Sequence, residues 1–270
     1  MKIVLMLISV LSLFSVLATA GDTRLRVMVF NIAAGHGNLD RIIGEIDSAR
    51  PDIVGLQEVD KHWSARSGWA DQPALLAEAL GMEVFYAPIY RIPHPEEGRP
   101  VREYGLAFLS RLPILESHNH PLTRHSTQQA GAEPEPKPGF PEIAVRFGGQ
   151  TVRIFNTHLD FRADPRVRRI QVGETLARLE RIDGPVILMG DLNATPEKEE
   201  LQPLFAHLPD AWDEEKRGPG HTFPAREPDR RIDYLLASDH FEVNHAEVIA
   251  TEASDHLPLV FDLALRPAKD

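Results

Sequence analysis

The sequence predicts a single α/β domain, and three features of the 270-residue chain lead to that prediction. Apolar runs of strand length alternate along the chain with segments whose apolar residues recur at helical spacing. No repeat of fixed period is visible, and no linker-like stretch separates two cores. The part of the chain after a leader-like N-terminus, about 250 residues, is long enough to bury one large core.

The first 20 residues have the layout of a secretory signal peptide. Lys2 precedes an apolar core over residues 3–17, and the small residues Ala18 and Ala20 stand just before Gly21. The segment is too short and too weakly flanked to favour a permanent membrane span. We therefore predict a signal peptide over residues 1–20, a folded domain over residues 21–270 and a periplasmic or secreted location. The chain has no cysteine, which excludes disulfides and lipid-modified cysteines.

The N-terminal third predicts a strand, a covering helix and a second strand. Residues 25–31 are rich in apolar and β-branched side chains and end on Asn31. Residues 38–50 place isoleucines at helical spacing, and a proline follows them. Residues 52–58 are nearly all apolar until they end in Glu58. Both predicted strands therefore end in a polar side chain that can bind a ligand.

The middle of the chain predicts two antiparallel hairpins separated by an irregular segment. Residues 104–110 and 114–121 form the first pair of predicted strands, and residues 143–147 and 151–156 form the second. Residues 122–141 carry four prolines among polar residues. This composition predicts a long loop, which acts either as a lid over a site or as a mobile edge.

The second hairpin leads directly into His158, the third polar residue at the end of a predicted strand. A helix is then predicted from Asp164 to about Arg181. Arginines cluster around the start of this helix, and we interpret them as a solvated face rather than as ligands. The cluster consists of Arg162, Arg166, Arg168 and Arg169.

The most informative stretch is residues 185–197. The buried strand Val186–Met189 is followed by Gly190, which allows a turn, and then by Asp191 and Asn193. In extended backbone, side chains two residues apart face the same way, so a negative charge and a neutral amide are presented together. That pairing suits a phosphate held against a hard cation. Because both residues are also ordinary turn formers, the rest of the chain has to decide between these interpretations.

The C-terminal part predicts a buried acid and its partner. Residues 231–237 read as an apolar strand that contains Asp233, and a buried carboxylate is costly without a partner. Asp255 and His256 precede the last predicted strand and supply that partner. We predict that Asp233 and His256 form a pair, in which the carboxylate selects the imidazole tautomer and stabilises the imidazolium.

Together, the strand ends supply acids, amides and imidazoles but no thiols. Such an oxygen-rich set favours a hard divalent cation, Mg²⁺ or Mn²⁺. Phosphate oxygens of a substrate complete the coordination of such an ion. Hydrolysis of a phosphate ester at this place would need charge neutralisation, a positioned water and a stabilised leaving oxygen. The predicted site residues are Asn31, Glu58, His158, Asp191, Asn193, Asp233, Asp255 and His256.

Six short motifs follow one another over most of the chain. They are Phe30-Asn31, Gln57-Glu58-Val59, Asn156-Thr157-His158-Leu159, Gly190-Asp191-Leu192-Asn193, Arg231-Ile232-Asp233-Tyr234 and Ser254-Asp255-His256-Leu257-Pro258. In this order they resemble the endonuclease/exonuclease/phosphatase (DNase I-like) superfamily, in particular its small bacterial exported members. The resemblance implies a four-layer αββα sandwich, in which two mixed sheets pack face to face with helices outside and the site lies where strand ends converge.

The resemblance also implies roles for the site residues. The implied metal ligands are drawn from Asn31, Glu58, Asp191, Asn193 and Asp255, with one or two metal ions. The implied catalytic residues are His158, Asp191, Asn193, Asp233 and His256. Among these, Asp191 and Asn193 position the water and the phosphate, Asp233 orients His256 as general base, and His158 contacts a phosphate oxygen or assists the leaving group.

The expected function is therefore that of an exported Mg²⁺- or Mn²⁺-dependent phosphoesterase, most simply a monomer. The formal net charge of −11 disfavours polymeric nucleic acid, so a small or lipid-derived phosphoester is favoured. An extracellular nuclease acting on DNA or RNA is the alternative enzyme. A catalytically silent ligand-binding module is the alternative of another class. The particular substrate is not predictable from these motifs.

Overall fold

The computed structural model describes residues 24–212 and 217–266, so the predicted signal peptide at 1–20 lies outside the described residues. Within them, two β-sheets pack face to face and helices cover the outer faces. This arrangement confirms the predicted four-layer αββα sandwich of two mixed sheets. None of the helices in these ranges is long and apolar enough to cross a membrane.

The described residues form eleven strands and four α-helices. The strands are β1 (Leu25–Asn31), β2 (Ile53–Lys61), β3 (Glu83–Ile92), β4 (Arg102–Ser110), β5 (Ile114–Arg124), β6 (Glu135–Phe147), β7 (Gln150–His158), β8 (Val186–Asp191), β9 (Asp233–Ala237), β10 (Phe241–Val248) and β11 (Leu259–Leu265). The helices are α1 (Leu39–Ala49), α2 (Gln72–Leu80), α3 (Arg166–Leu179) and α4 (Gln202–His207).

Each sheet has a βαβ unit of its own near its centre. The first sheet has the strand order β10-β11-β1-β2-β4-β3, and the second has the order β5-β6-β7-β8-β9. In the first sheet β1 and β2 are parallel and α1 connects them; in the second β7 and β8 are parallel and α3 connects them. Because parallel strands carry their carboxyl ends to the same sheet edge, each unit delivers its strand ends to one rim.

Apolar side chains fill both faces of each sheet. Between the sheets, the largest core contains residues such as Val29, Phe108 and Met189 from both layers. Outside the first sheet, α1 and α2 share a second core with strand residues, and outside the second sheet α3 and α4 form a third. The central strands are therefore buried on both faces, which is why their sequences are continuous apolar runs rather than alternating ones.

A buried amide joins the two sheets near their centre. Asn156 in β7 donates from Nδ2 to the carbonyls of Leu56 and Ala107 in the other sheet, at 2.9 and 3.2 Å, and its Oδ1 accepts from Nε2 of Gln57 at 2.6 Å. The close approach depends on Gly55, because a Cβ there would lie 2.4 Å from Sδ of Met189. These hydrogen bonds fix how the strand ends of one sheet align with those of the other.

The predicted hairpin of residues 104–121 is wrong. β4 pairs with β2 on one side and β3 on the other, whereas β5 pairs with β6 in the second sheet. β4 therefore has no free edge to offer β5, and the short turn between them crosses from one sheet to the other. Local strand and turn signals in the sequence cannot reveal this crossing, because pairing of β4 depends on strands elsewhere in the chain.

The predicted loop over residues 122–141 is wrong over half of its length. β5 continues to Arg124 and β6 begins at Glu135, so the hairpin leaves only residues 125–134 outside the strands. The prolines of β6 are tolerated because β7 pairs with β6 only from Glu142 onwards, which leaves one edge of this proline-rich segment without a ladder. The structure therefore confines the irregular segment to residues 125–134, where His125, Thr127 and Gln128 line a cavity.

We expect Asn156→Leu to lower the free energy of unfolding by about 3 kcal/mol, because it removes three buried hydrogen bonds: two to backbone carbonyls and one from the Gln57 amide, which keeps its bond to the carbonyl of Gly55. Urea unfolding measures this loss. In a double-mutant cycle, Gln57→Leu combined with Asn156→Leu should cost less than the sum of the single changes, because each removes the other's unpaired group. Additive losses would show that the two amides are not coupled.

Candidate active site

Strand ends from both sheets meet at one rim of the sandwich. Asn31 ends β1 in the first sheet, while His158 and Asp191 end β7 and β8 in the second. Nδ2 of Asn31 donates to Oδ2 of Asp191 at 3.1 Å, a contact between residues 160 positions apart in the sequence. The structure thus brings together the polar strand ends that the sequence singled out.

Glu58 reaches the site because β2 is irregular at this point. The predicted strand ended at Glu58, but β2 continues to Lys61, and its pairing with β4 shifts between Leu56 and Val59. Glu58 lies in this bulge with a left-handed backbone, φ 56°. The carboxylate accepts a hydrogen bond of 3.4 Å from Nδ2 of Asn31. A conformation that disfavours an ordinary side chain therefore directs the acid to the rim.

Asn31 is held from three directions. Its side-chain Oδ1 accepts from the amide of Ala33 at 3.1 Å, and its backbone carbonyl accepts from Oγ of Ser254 at 2.7 Å. Its Nδ2 lies between the carboxylates of Glu58 and Asp191. The amide therefore links two acids that would otherwise repel each other across the junction of the sheets.

Asp191 and Asn193 follow a turn that only glycine allows. Gly190 has φ 139°, and a Cβ on it would lie 2.0 Å from the carbonyl oxygen of Thr157. The amide of Asn193 then donates to Oδ1 of Asp191 at 2.8 Å, and Nδ2 of Asn193 donates to the carbonyl of Leu159 at 3.1 Å. The second carboxylate oxygen, Oδ2, is left to face Asn31 and the histidines.

Two imidazoles flank Asp191. Nε2 of His158 lies 3.5 Å from Oδ2 of Asp191, and Nε2 of His256 lies 3.8 Å from the same oxygen. Nδ1 of His256 is 2.9 Å from Oδ2 of Asp233, and both groups are buried. This hydrogen bond offsets the free-energy cost of burying the Asp233 carboxylate, as predicted from the sequence. It also leaves Nε2 of His256 directed towards Asp191. The ring of Phe223 packs against His256 at 4.7 Å between centroids.

Burial and mutual charge shift the pKa values of these groups in opposite directions. Burial, together with the charge of Asp233, raises the pKa of Asp191 to about 6. Burial likewise raises the pKa of Glu58. Burial lowers the pKa of His158. Burial would also lower the pKa of His256, but the Asp233 carboxylate outweighs it and raises that pKa to about 10.

Asp255 lies at the exposed side of the rim. Its Oδ1 is 3.4 Å from Oγ of Ser254, and its charge contributes to the raised pKa of Glu58. Asp255 therefore adds negative charge to the site without being buried in it. All eight residues predicted from the sequence border or underlie the same rim.

The donor chemistry fits a hard divalent cation. The carboxylates of Glu58 and Asp191 and the amide oxygen of Asn31 form an oxygen-only group of candidate ligands. Nδ2 of Asn31 faces the two acids and Oδ1 accepts from Ala33, so the carboxylates are the direct donors, and burial raises the pKa values of both acids. A second group, formed by Asp191, Asp233 and His256, has ligand atoms within 4.8 Å of one another. A cation there would compete with the 2.9 Å hydrogen bond of the Asp233–His256 pair, so the oxygen-only group fits better.

A cavity of about 430 Å³ opens above these groups. Trp63, Tyr90 and Tyr104 form a packed aromatic wall, with ring centroids 5.6 to 6.3 Å apart. Arg66, Arg124 and Arg162 contribute positive charge to the lining. Sequence reasoning did not assign these residues to the site, because they come from loops and strand edges that become neighbours only in the folded chain.

The arginine cluster around the start of α3 is only partly a solvated face. Arg166 is exposed, but Arg168 is buried and donates from Nη2 to Oε1 of Glu200 at 2.8 Å. Nη1 of Arg168 also donates to the carbonyls of Asp160 and Arg162, which fixes the loop beside His158. The interpretation of Arg168 as solvated is therefore wrong: it supports the wall of the cavity.

A four-layer sandwich with acids, amides and histidines at its joined strand ends defines the class of α/β phosphoesterases and nucleases. The model of the Endonuclease/Exonuclease/phosphatase family matches residues 28–256. The chain belongs to this family, whose members are hydrolases that act on phosphoesters. The resemblance inferred from the six motifs is confirmed.

Solved structures and curated sequences agree with this membership. An endonuclease/exonuclease/phosphatase from Beutenbergia cavernae DSM 12333 is 28% identical with a TM-score of 0.73, over 92% of this chain and 73% of that one. The human Nocturnin catalytic domain is 26% identical with a TM-score of 0.68, over 90% of this chain and 94% of that one. UPF0294 protein VV1_1880 of Vibrio vulnificus (strain CMCP6) is 31% identical over 138 residues, 48% of this chain and 45% of the relative. The matched region spans less than half the length of this curated relative.

The Asp233–His256 pair predicts a pH dependence of stability in EDTA. Because the folded-state pKa of His256 is about 10, above its unfolded value, the pair stabilises the fold fully below about pH 6.5 and loses this effect as pH rises through 10. The loss should be on the order of 3 kcal/mol by urea unfolding. Asp233→Asn should flatten this part of the profile, whereas the exposed control His245→Gln should not. An unchanged profile in Asp233→Asn would contradict the pairing.

Proposed function

We propose that this protein is an exported, Mg²⁺- or Mn²⁺-dependent phosphoesterase that hydrolyses a phosphodiester or phosphomonoester by attack of a histidine-activated water. The observation that carries the proposal is the buried Asp233–His256 pair, whose free Nε2 lies 3.8 Å from Asp191 beside an oxygen-only group of ligands. A general base and a cation site next to each other are what phosphoester hydrolysis needs.

In this proposal Glu58 and Asn31 hold the cation, with Asp191, Asn193 and Asp255 as the remaining candidate ligands. The bound cation supplies Lewis-acid neutralisation of charge on the phosphate oxygens. The buried acids Glu58 and Asp191 favour such binding, because a cation stabilises their ionised forms.

His256 is proposed as the general base, with Asp233 as the residue that orients it. The hydrogen bond from Nδ1 to Asp233 selects the tautomer and leaves Nε2 free to accept a proton from water. With its pKa near 10, the imidazole alone would stay protonated at neutral pH. A cation bound by the neighbouring acids would lower that pKa towards the working range, which would couple base function to metal binding.

His158 and the Asp191–Asn193 turn are proposed to position the phosphate and the water. Burial lowers the pKa of His158, which keeps its ring neutral and able to donate one N–H to a phosphate oxygen or to the leaving oxygen. Asp191 faces both imidazoles, and Asn193 is fixed by hydrogen bonds on both its backbone and side-chain nitrogens. Their rigid placement limits the orientation of the reacting groups.

A small or lipid-derived phosphoester is the proposed substrate. The cavity of about 430 Å³ has fixed aromatic walls, and the formal net charge of −11 opposes a polyanionic duplex. The structure of the Nocturnin domain contains a bound sulfate, a tetrahedral anion comparable with phosphate. The alternative, a nuclease acting on DNA or RNA, is favoured only by the arginines of the cavity.

A catalytically silent binding module would not need the Asp233–His256 pair. Burying two ionisable groups is unfavourable unless their interaction contributes to the fold or to the chemistry. Within the described residues, Nε2 of His256 makes no hydrogen bond, so it is available for chemistry.

The proposal also includes export, because residues 1–20 have the composition of a signal peptide. The mass of the protein recovered from the periplasm or medium would reveal whether those residues are removed.

Metal binding should stabilise the folded protein independently of activity. At Mg²⁺ or Mn²⁺ concentrations about ten times the Kd, we expect a gain of about 1.4 kcal/mol in unfolding free energy, seen as a higher Tm than in EDTA. Glu58→Gln should abolish this gain because it removes the carboxylate that is proposed to bind the cation. Glu252→Gln, an exposed acid outside the site, is the control. A full gain in Glu58→Gln would place the cation elsewhere.

Removing the proposed general base, His256, or the carboxylate of Asp191 should abolish hydrolysis without unfolding the protein. We expect His256→Ala and Asp191→Ala each to lower turnover at least about a hundredfold, while His245→Ala leaves it unchanged. Activity is measured with Mg²⁺ or Mn²⁺ and with EDTA on phosphomonoesters, phosphodiesters, phospholipids and nucleic acids, with circular dichroism as the folding control.

The same panel separates the two enzymatic alternatives. Duplex DNA hydrolysis that is fastest of all and falls steeply with salt concentration would favour the nuclease, because binding of phosphate backbones weakens with salt. Wild-type turnover in His256→Ala or Asp191→Ala would refute the assigned roles. A folded wild-type protein that hydrolyses none of these substrates would leave the silent module as the better description.

A further inference from the structure

Arg124, at the end of β5, is a buried cation without an acidic partner. Its exposed fraction is 7%, Nη1 donates to the carbonyl of His158 at 2.7 Å, and Nη2 donates to the carbonyl of Gly139 at 2.9 Å. Its Nε is buried without a hydrogen bond. Over residues 24–212 and 217–266, no carboxylate lies within 4.0 Å of its guanidinium. Buried charges are normally paired, so this exception calls for a ligand.

The other two arginines of the cavity are neutralised by aspartates. Arg66 donates to both oxygens of Asp60 at 2.7 and 2.9 Å, and Arg162 donates to Asp160 at 2.5 Å. Burial lowers the pKa of Arg124 to about 10, which still leaves it protonated at neutral pH. Among these three arginines, Arg124 is therefore the one whose charge is not balanced by a neighbouring carboxylate.

The position of Arg124 is fixed from two elements. The preceding residue, Thr123, donates from its amide and its hydroxyl to Glu174 of α3, at 2.7 and 2.6 Å. The guanidinium itself is tied to the backbone of His158, whose ring Nε2 lies 3.5 Å from Asp191. The cation and the proposed hydrolytic group thus line one cavity, and His158 contacts both Arg124 and Asp191.

We propose that Arg124 binds a second anionic group of the substrate, beside the phosphate that is hydrolysed. The preferred substrates are then small phosphoesters that carry a second phosphate or a carboxylate a few bonds from the scissile group. A guanidinium suits both groups, because its planar N–H donors match their paired oxygens. This subsite rests on the proposed function, since it is defined relative to a scissile phosphate.

Equilibrium binding tests the subsite without relying on turnover. Titration calorimetry compares 3-phosphoglycerate, which has a carboxylate, with glycerol 3-phosphate, which has a hydroxymethyl group instead, in EDTA and in Mg²⁺. The wild-type protein should bind 3-phosphoglycerate at least about tenfold more tightly, as expected for one charge-assisted contact. 2,3-Bisphosphoglycerate extends the comparison to a second phosphate.

Variants of Arg124 assign this preference to its side chain. Arg124→Gln should remove the preference, and Arg124→Lys should retain part of it, because lysine keeps the charge but loses the planar fork. Arg166→Gln removes the same charge from an exposed arginine paired with Asp164 and should leave the preference intact. If Arg124→Gln does not fold, the lysine variant and the wild-type comparison still decide the question.

The outcomes for the subsite and for hydrolysis are distinguishable. Equal binding of both probes by the wild-type protein, or binding of neither, overturns the subsite even if the protein hydrolyses phosphoesters. A full preference in folded Arg124→Gln also overturns it. A preference that disappears in Arg124→Gln, in a protein that hydrolyses no substrate of the panel, supports the anion site and refutes the hydrolase proposal alone.

Discussion

The alignment of the two sheets is the constraint on which the site depends. Asn156 spans the sheet interface with hydrogen bonds to Leu56, Ala107 and Gln57, next to the bulge that presents Glu58. A buried amide tolerates little sliding, because any displacement leaves several polar groups unpaired in an apolar core. Apolar packing alone permits neighbouring registers at smaller cost, so these hydrogen bonds specify the alignment.

With the sheets aligned, two contacts that define the site cross between them. Asn31 belongs to the first sheet and contacts Asp191 in the second, while His256 precedes the last strand of the first sheet and contacts Asp233 in the second. The acids are held closer together than their charges favour in the absence of a cation. The stability of the sandwich thus maintains an arrangement that is electrostatically unfavourable by itself, as is common for functional sites.

The sequence predicted which polar residues meet at one rim better than it predicted their local geometry. Asn31, His158 and Asp191 end apolar strands, a local pattern that places them at one rim once two parallel βαβ units form. Glu58 was assigned to a strand end, whereas it lies in a bulge inside a longer strand. Bulges depend on the pairing of two strands, so the sequence of one strand alone does not reveal them.

The six motifs in the sequence identified the family and, through that resemblance, the αββα architecture. Apolar periodicity located most of the strands whose ends carry the acids, amides and histidines, because periodicity and short motifs are local properties of the chain. Only the tertiary structure decided that β4 and β5 belong to different sheets and that Arg168 is buried. It also decided that Arg66 is neutralised while Arg124 is not. The physical reason is that strand pairing and charge compensation depend on groups distant in sequence, whose proximity arises only on folding.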